Sequence, residues 1–234
     1  MIFQFLQLLP QYPTLFIRMF GATVLGLVLA ITVHEASHAL LATLQGDNTA
    51  KSQGRLSLNP IAHLDPTGSV LMLLVGFGWG KPVPVNPFWL TLGPRLGNAV
   101  VAMAGPLSNI LAAAVLSLPF RFGLLPWHEP FSMVLTVTPG WVLVDVLTIA
   151  ILFNLSLAVF NLIPLFPLDG FNVVAGLLPR HLGDQFNRLQ PYGMGLLMIL
   201  VMVGYLRIFD FSLGTIISPV IHVLSLVVVG RAIT

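Results

Sequence analysis

Apolar residues in this chain come in long unbroken runs, not in the one-sided stripes of soluble helices. Five runs approach or exceed the roughly 20 residues needed to cross about 30 Å of hydrocarbon. They are residues 14–45, 97–120, 141–165, 191–209 and 212–230. Each predicts a membrane-spanning helix, because a helix satisfies its own backbone hydrogen bonds where no water is at hand. A sixth run, residues 68–80, would be only about 20 Å long as a helix and predicts a re-entrant segment. On either side of it, residues 55–59 and 81–86 alternate with a period of two, which predicts short membrane-associated β-strands with prolines at an edge. The expected fold is an all-α polytopic membrane protein, with about five transmembrane helices and this re-entrant segment. Residues 1–234 are expected to form a single domain ending in a helical hairpin over about 191–230.

Composition sharpens this picture. Charged residues make up 8% of the chain and hydrophobic ones 56%, with a mean hydropathy of +0.94, whereas soluble domains are about 25% charged. The expected environment is a lipid bilayer. A net charge of +2 is too small an excess to suggest nucleic acid as a partner. With no cysteine, disulfides and thiolate metal sites are excluded, and any metal must be held by histidines and carboxylates. The first 17 residues carry no Lys or Arg, and the apolar stretch after them overruns a signal-peptide core, so the N terminus is expected to be retained.

Inside the first apolar run lies His34-Glu35-Ala36-Ser37-His38. The two imidazoles sit at i and i+4, one turn apart on one helix face, where both can reach a single ion, with Glu35 beside them. Ionisable groups at such depth are costly without a partner and mark functional sites. The bland alternative is a pair of core histidines hydrogen-bonded across helices, with Glu35 neutral. Two imidazoles leave a catalytic zinc short of one protein ligand and an open water position. Among six aspartates, Asp169 stands out: it follows Pro164 and Pro167, which break the helix, and precedes Gly170, which lets the backbone turn. An ordinary loop aspartate at a helix end remains the alternative there.

These residues resemble the site-2 proteases, the intramembrane metalloproteases. The HEASH stretch matches that family's zinc-binding helix, and Phe166-Pro-Leu-Asp169-Gly170 is similar to its second signature, in which the Asp is the third ligand. Gly105-Pro-Leu-Ser-Asn109 is similar to its Gly-x-x-x-Asn element. The resemblance covers about residues 20–175 and implies one Zn2+ per chain held by His34, His38 and Asp169. No PDZ or nucleotide-sensing segment lies within the sequence, so the resemblance is to the compact branch.

In such a site zinc activates water, and Glu35 takes its proton and passes it to the leaving amine. The resemblance also implies that Asn161 lies near the metal, where it could bind the developing oxyanion. Asn109 could support it or join helices. Substrates are expected to be transmembrane segments of other proteins, unwound and paired as an added strand with the extended segments around 55–59 and 81–86, Val83 and Val85 included. The competing readings are a divalent metal cation transporter and a catalytically inactive relative that binds membrane proteins. Oligomeric state, a homo-oligomer included, is left open.

If the HEASH and Asp169 ends meet, Lys51, Arg55, Lys81, Arg95, Arg180, Arg188 and Arg231 share their face, with Arg18, Arg121 and Arg207 opposite. That asymmetry predicts a site toward the cytoplasmic face of the cell membrane. His63 and Asp65 read first as part of a capped turn, with a gate or alternative metal ligand as the second reading. Asp145 is expected to be interfacial, His128 and Glu129 to lie in a solvated loop, and His181 and His222 to bind no metal.

Overall fold

The computed structural model describes residues 6–7, 9–75, 78–132, 139–206, 213–231 and 233. Helix α1 (Pro13–Leu44) starts with a proline at its first turn, where the missing N–H costs nothing. It is followed by a one-turn α2 (Thr49–Ser52) and by α3 (Pro66–Val75). Next come α4 (Leu96–Arg121), α5 (Pro139–Asn161), α6 (Asp169–Leu177), α7 (Arg180–Asn187), α8 (Gln190–Leu206) and α9 (Leu213–Val228). Three helices are long and apolar enough to cross a membrane, Pro13–Leu44, Leu96–Arg121 and Gly140–Asn161. Two shorter apolar helices, Gln190–Gly204 and Gly214–Val228, match the last two predicted runs. The chain is an integral membrane protein.

The long helices α1, α4 and α5 pack pairwise on one another, and α6 lies against α4. Where α1 meets α5, a Cβ on Gly26 would come within 3.0 Å of the Ala150 nitrogen, so the absent side chain lets the two backbones approach closely. At the far end from the HEASH turn, Arg18 Nε lies 2.7 Å from Asp145 Oδ2, and His128 Nε2 lies 3.0 Å from Asp145 Oδ1. Asp145 is fully buried within the protein, and His128 is drawn in to it, so His128 is not solvated as expected. A carboxylate buried at the start of a span is offset there by the Arg18 guanidinium, with the His128 ring as its second polar neighbour.

Among the described residues, 55–59 and 81–86 do not form strands; the one bridge is Leu64 with Gly80, antiparallel. The physical reason is plain for 81–86, where Pro82 and Pro84 remove every second N–H from a ladder. The short run at 68–80 overlaps α3 (Pro66–Val75), which is ten residues long, or about 15 Å, too short to cross. Residues 76–77, Arg207 and the link between α8 and α9 lie outside the described residues.

The start of α8 packs on Phe166, near Asp169. The Val228 carbonyl at the end of α9 accepts hydrogen bonds from Arg121 Nη1 (3.0 Å) and Ser117 Oγ (3.1 Å). Arg231 therefore belongs with the Arg121 end of the bundle, not with the Asp169 end where the charge count put it.

Candidate metal centre and active site

Helix α1 carries His34, Glu35 and His38 past its midpoint, and α6 opens on Asp169. The break after α5 turns the chain back so that Asp169 Oδ2 lies 2.9 Å from His34 Nε2 and 3.4 Å from His38 Nε2. One ligand atom from each residue falls within 4.8 Å of the others, the one such cluster among the described residues. The two rings are nearly perpendicular, with centroids 4.7 Å apart.

The hydrogen bonds behind the rings decide what those atoms are. His38 Nδ1 lies 2.8 Å from the Val101 carbonyl oxygen, which can only accept, so Nδ1 carries the proton. His34 Nδ1 lies 2.6 Å from Asn109 Oδ1. The Asn109 amide is oriented by its other end, whose Nδ2 donates to Ala30 O (3.0 Å) and Asn154 Oδ1 (2.8 Å). With each Nδ1 held by an oxygen acceptor, both rings turn Nε2 toward the Asp169 carboxylate. Asp169 Oδ2 is itself buried, with the two Nε2 atoms as its polar neighbours. Two imidazole nitrogens and a carboxylate oxygen converging on one point are the donor set of a His–His–Asp site, which fits zinc.

Gly105 on α4 closes this pocket from behind. A Cβ there would stand 2.6 Å from His34 Nε2 and from His38 Nε2, so only glycine leaves the ring edges room.

The cluster opens into a cavity of about 1120 Å³ whose lining includes Glu35, Asn161, Val83 and Val85. Glu35 Oε1 would lie 3.4 Å from a Cβ on Gly80, which puts the carboxylate beside the start of the 81–86 segment.

The model for peptidase family M50 matches residues 126–203, which include Asp169 but not the HEASH turn. The Bacillus subtilis protein named "Putative zinc metalloprotease YwhC" is 40% identical over 177 residues, covering 76% of this chain and 78% of that protein. The chain belongs to peptidase family M50, the site-2 proteases. Proteins named "Putative zinc metalloprotease Rip2" are more distant relatives. The one from Mycolicibacterium smegmatis is 27% identical over 86% of this chain and 74% of its own length. The one from Mycobacterium tuberculosis strain H37Rv is 29% identical over 75% of this chain and 63% of its own length. No solved structure matches significantly.

In this M50 chain, the expected site residues separate into two groups. His34, His38 and Asp169 come together, with Glu35 beside them. Asn161 lines the cavity and donates to the Leu157 carbonyl (3.0 Å) on its own helix. Asn109 is fully buried behind His34, and its three hydrogen bonds go to protein atoms of α1 and α5. His63 is buried, with Nε2 2.7 Å from the Ser57 carbonyl, and stands outside the metal cluster. Asp65 Oδ1 accepts from Gly68 N (2.8 Å), the capped turn expected before α3. Sequence reasoning missed Asn154 and Arg95. An amide in the middle of an apolar run, two turns before Asn161, was the available signal for Asn154. Nothing in the sequence pointed from Arg95 to the carbonyls of Ala175 and Leu178 that its Nη2 reaches at 3.1 and 2.6 Å.

Proposed function

We propose that this membrane-embedded zinc metalloprotease cleaves peptide bonds in or next to transmembrane segments of other proteins. In this reading His34, His38 and Asp169 hold the ion, and Glu35 moves the proton. The convergence of both Nε2 atoms on the Asp169 carboxylate is the observation that carries it. When bound, zinc would supply Lewis acidity that polarises the scissile carbonyl and makes nearby water more acidic. Asn109 and the Val101 carbonyl hold the two rings in the tautomer whose Nε2 faces the ion. Glu35 accepts the proton of the attacking water and returns it to the leaving nitrogen, so it must face the cavity, as it does. Asn161, on the cavity wall, orients the substrate carbonyl. The apolar cavity accepts an unwound transmembrane segment, and the edge formed by Val83 and Val85 pairs with it.

The distribution of charge supports an orientation. Lys51, Arg55, Lys81, Arg95, Arg180 and Arg188 lie at the site end of the bundle, against Arg18, Arg121 and Arg231 at the other. The excess supports a site toward the cytoplasmic face.

Glu35→Gln compared with wild type tests the reading. In lipid vesicles, wild type cleaves a co-reconstituted membrane protein, and Glu35→Gln keeps its zinc but loses cleavage by a factor of about 100 or more. Undiminished cleavage by Glu35→Gln refutes the assigned base. Zinc flux through wild-type vesicles without cleavage turns the assignment to a transporter.

A further inference from the structure

Segment 81–86 borders the cavity and is fastened at both ends by buried charged side chains that do not line it. At the first end, Lys81 N donates to the His63 carbonyl (2.7 Å), and the Arg55 guanidinium donates to the Lys81 carbonyl. Arg55 is 3% exposed. Burial pushes its guanidinium down from its ordinary value, opposed by the charge of Glu35, so the two groups are electrostatic neighbours.

At the other end, Asn86 N donates to Asp47 Oδ2 (2.6 Å). Asp47 is 0% exposed, and its second oxygen accepts from both the backbone N–H and the hydroxyl of Thr49. Its own N–H donates to the Ala42 carbonyl at 3.0 Å, in the last turn of the helix that carries His34 and His38. A buried carboxylate is tolerated only when its lone pairs are matched, and here the two oxygens serve two different elements. Asparagine would offer one acceptor and present an NH2 group to the second donor.

Between the two fastenings, Pro82 and Pro84 have no N–H. The backbone groups of Val83 and Val85 make no hydrogen bond among the described residues, and both residues line the cavity. In an extended chain, residues two apart present their N–H and C=O to the same side. The edge at 83 and 85 therefore offers donors and acceptors, while the edge at 82 and 84 offers no donor.

We propose that Asp47 and Arg55 are positioning residues for substrate: they hold the Val83–Val85 edge extended beside Glu35, so that the cost of ordering it is met before substrate arrives. This rests on the proteolytic reading and on edge pairing. It assigns the specificity for an extended substrate to two residues that touch neither substrate nor metal.

Three variants test it in vesicles with a transmembrane substrate. Asp47→Asn keeps an acceptor for Thr49 and sets an amide donor against Asn86 N–H. It raises KM about tenfold, with kcat within about twofold and zinc content unchanged. Arg55→Lys keeps the charge but loses the guanidinium fork, and shows the same KM-selective loss. Thr49→Val removes a bond to the same carboxylate without touching Asn86, and both constants stay within about twofold of wild type. Because the chain has no cysteine, a single cysteine at Val83 reports pairing by disulfide trapping with a substrate cysteine, and its yield falls in the Asp47→Asn background. A KM within twofold of wild type in Asp47→Asn and Arg55→Lys overturns the proposal, as does an equal loss in Thr49→Val or loss of zinc in Asp47→Asn. Those outcomes count against the fastening alone when Glu35→Gln is inactive beside an active wild type. Equal cleavage by wild type and Glu35→Gln overturns the proteolytic reading beneath it.

Discussion

His34 Nδ1 and Asn109 Oδ1 lie 2.6 Å apart across the α1–α4 interface, and that bond leaves His34 Nε2 free to face Asp169. The Asn109 amide is itself fixed by Asn154 on α5. One chain of hydrogen bonds thus runs from the third span to the proposed metal ligand His34 on the first.

Asn109→Ala removes the partner that fixes the tautomer and ring orientation of His34. Zinc affinity should fall about 10- to 100-fold, the usual cost of losing such a partner. Competition with a chelator of known affinity measures it. Asn154→Ala should act in the same direction and by less, since it only loosens the amide. A wild-type zinc affinity in Asn109→Ala would show that His34 is held by packing alone.

Gly105→Ala places a methyl group 2.6 Å from His34 Nε2 and from His38 Nε2. The rings must swing apart, so the purified variant should retain its helical content by circular dichroism and carry no zinc. Full zinc occupancy in that variant would contradict the packing described here.

Much of this site was legible because its chemistry is written in short spacings. The i, i+4 histidines with an intervening Glu35 are incompatible with an ordinary apolar span, and Asp169 sits between two prolines and a glycine that break a helix. The roles of Asn109, Asn154 and Arg95 depend on contacts across 75, 45 and 80 residues of chain respectively. Periodicity carries no record of such contacts. The alternation at 81–86 predicted a strand that does not form among the described residues, because Pro82 and Pro84 remove ladder donors. The placement of Arg231 failed for a related reason. Hydropathy reports that a helix is apolar, whereas the contact of Val228 with Arg121 fixes which end of the bundle it reaches.

Arg95 binds the carbonyls of Ala175 and Leu178 at the end of the helix that begins with Asp169. Arg95→Ala leaves those acceptors without a charged donor, a loss of about 1.5–3 kcal/mol. Thermal unfolding in detergent should show the lower stability, with Asp169 and its zinc retained in the molecules that remain folded. An unchanged melting temperature would mean that water replaces the guanidinium at no cost.

Asp47 gives stability a defined acid dependence. Burial pushes its carboxyl up, but the Thr49 hydroxyl and the N–H groups of Asn86 and Thr49 outweigh burial and hold it below the ordinary carboxylate value. A group with a depressed folded-state pKa contributes its full stabilisation above the unfolded-state value of about 3.9, and loses it as pH falls through the folded-state value. The stability margin of wild type over Asp47→Asn should therefore be constant from pH 7 down to about 4 and narrow below that. Melting curves in detergent across this range test it, and a margin that widens in acid contradicts it.

The proposed chemistry requires one ion held jointly by His34, His38 and Asp169. X-ray absorption at the zinc edge on purified protein reads that shell directly. Wild type should show two imidazole nitrogens at about 2.0–2.1 Å together with oxygen ligands, and Asp169→Ala should lose an oxygen ligand and bind zinc more weakly. A spectrum and affinity unchanged by Asp169→Ala would contradict it.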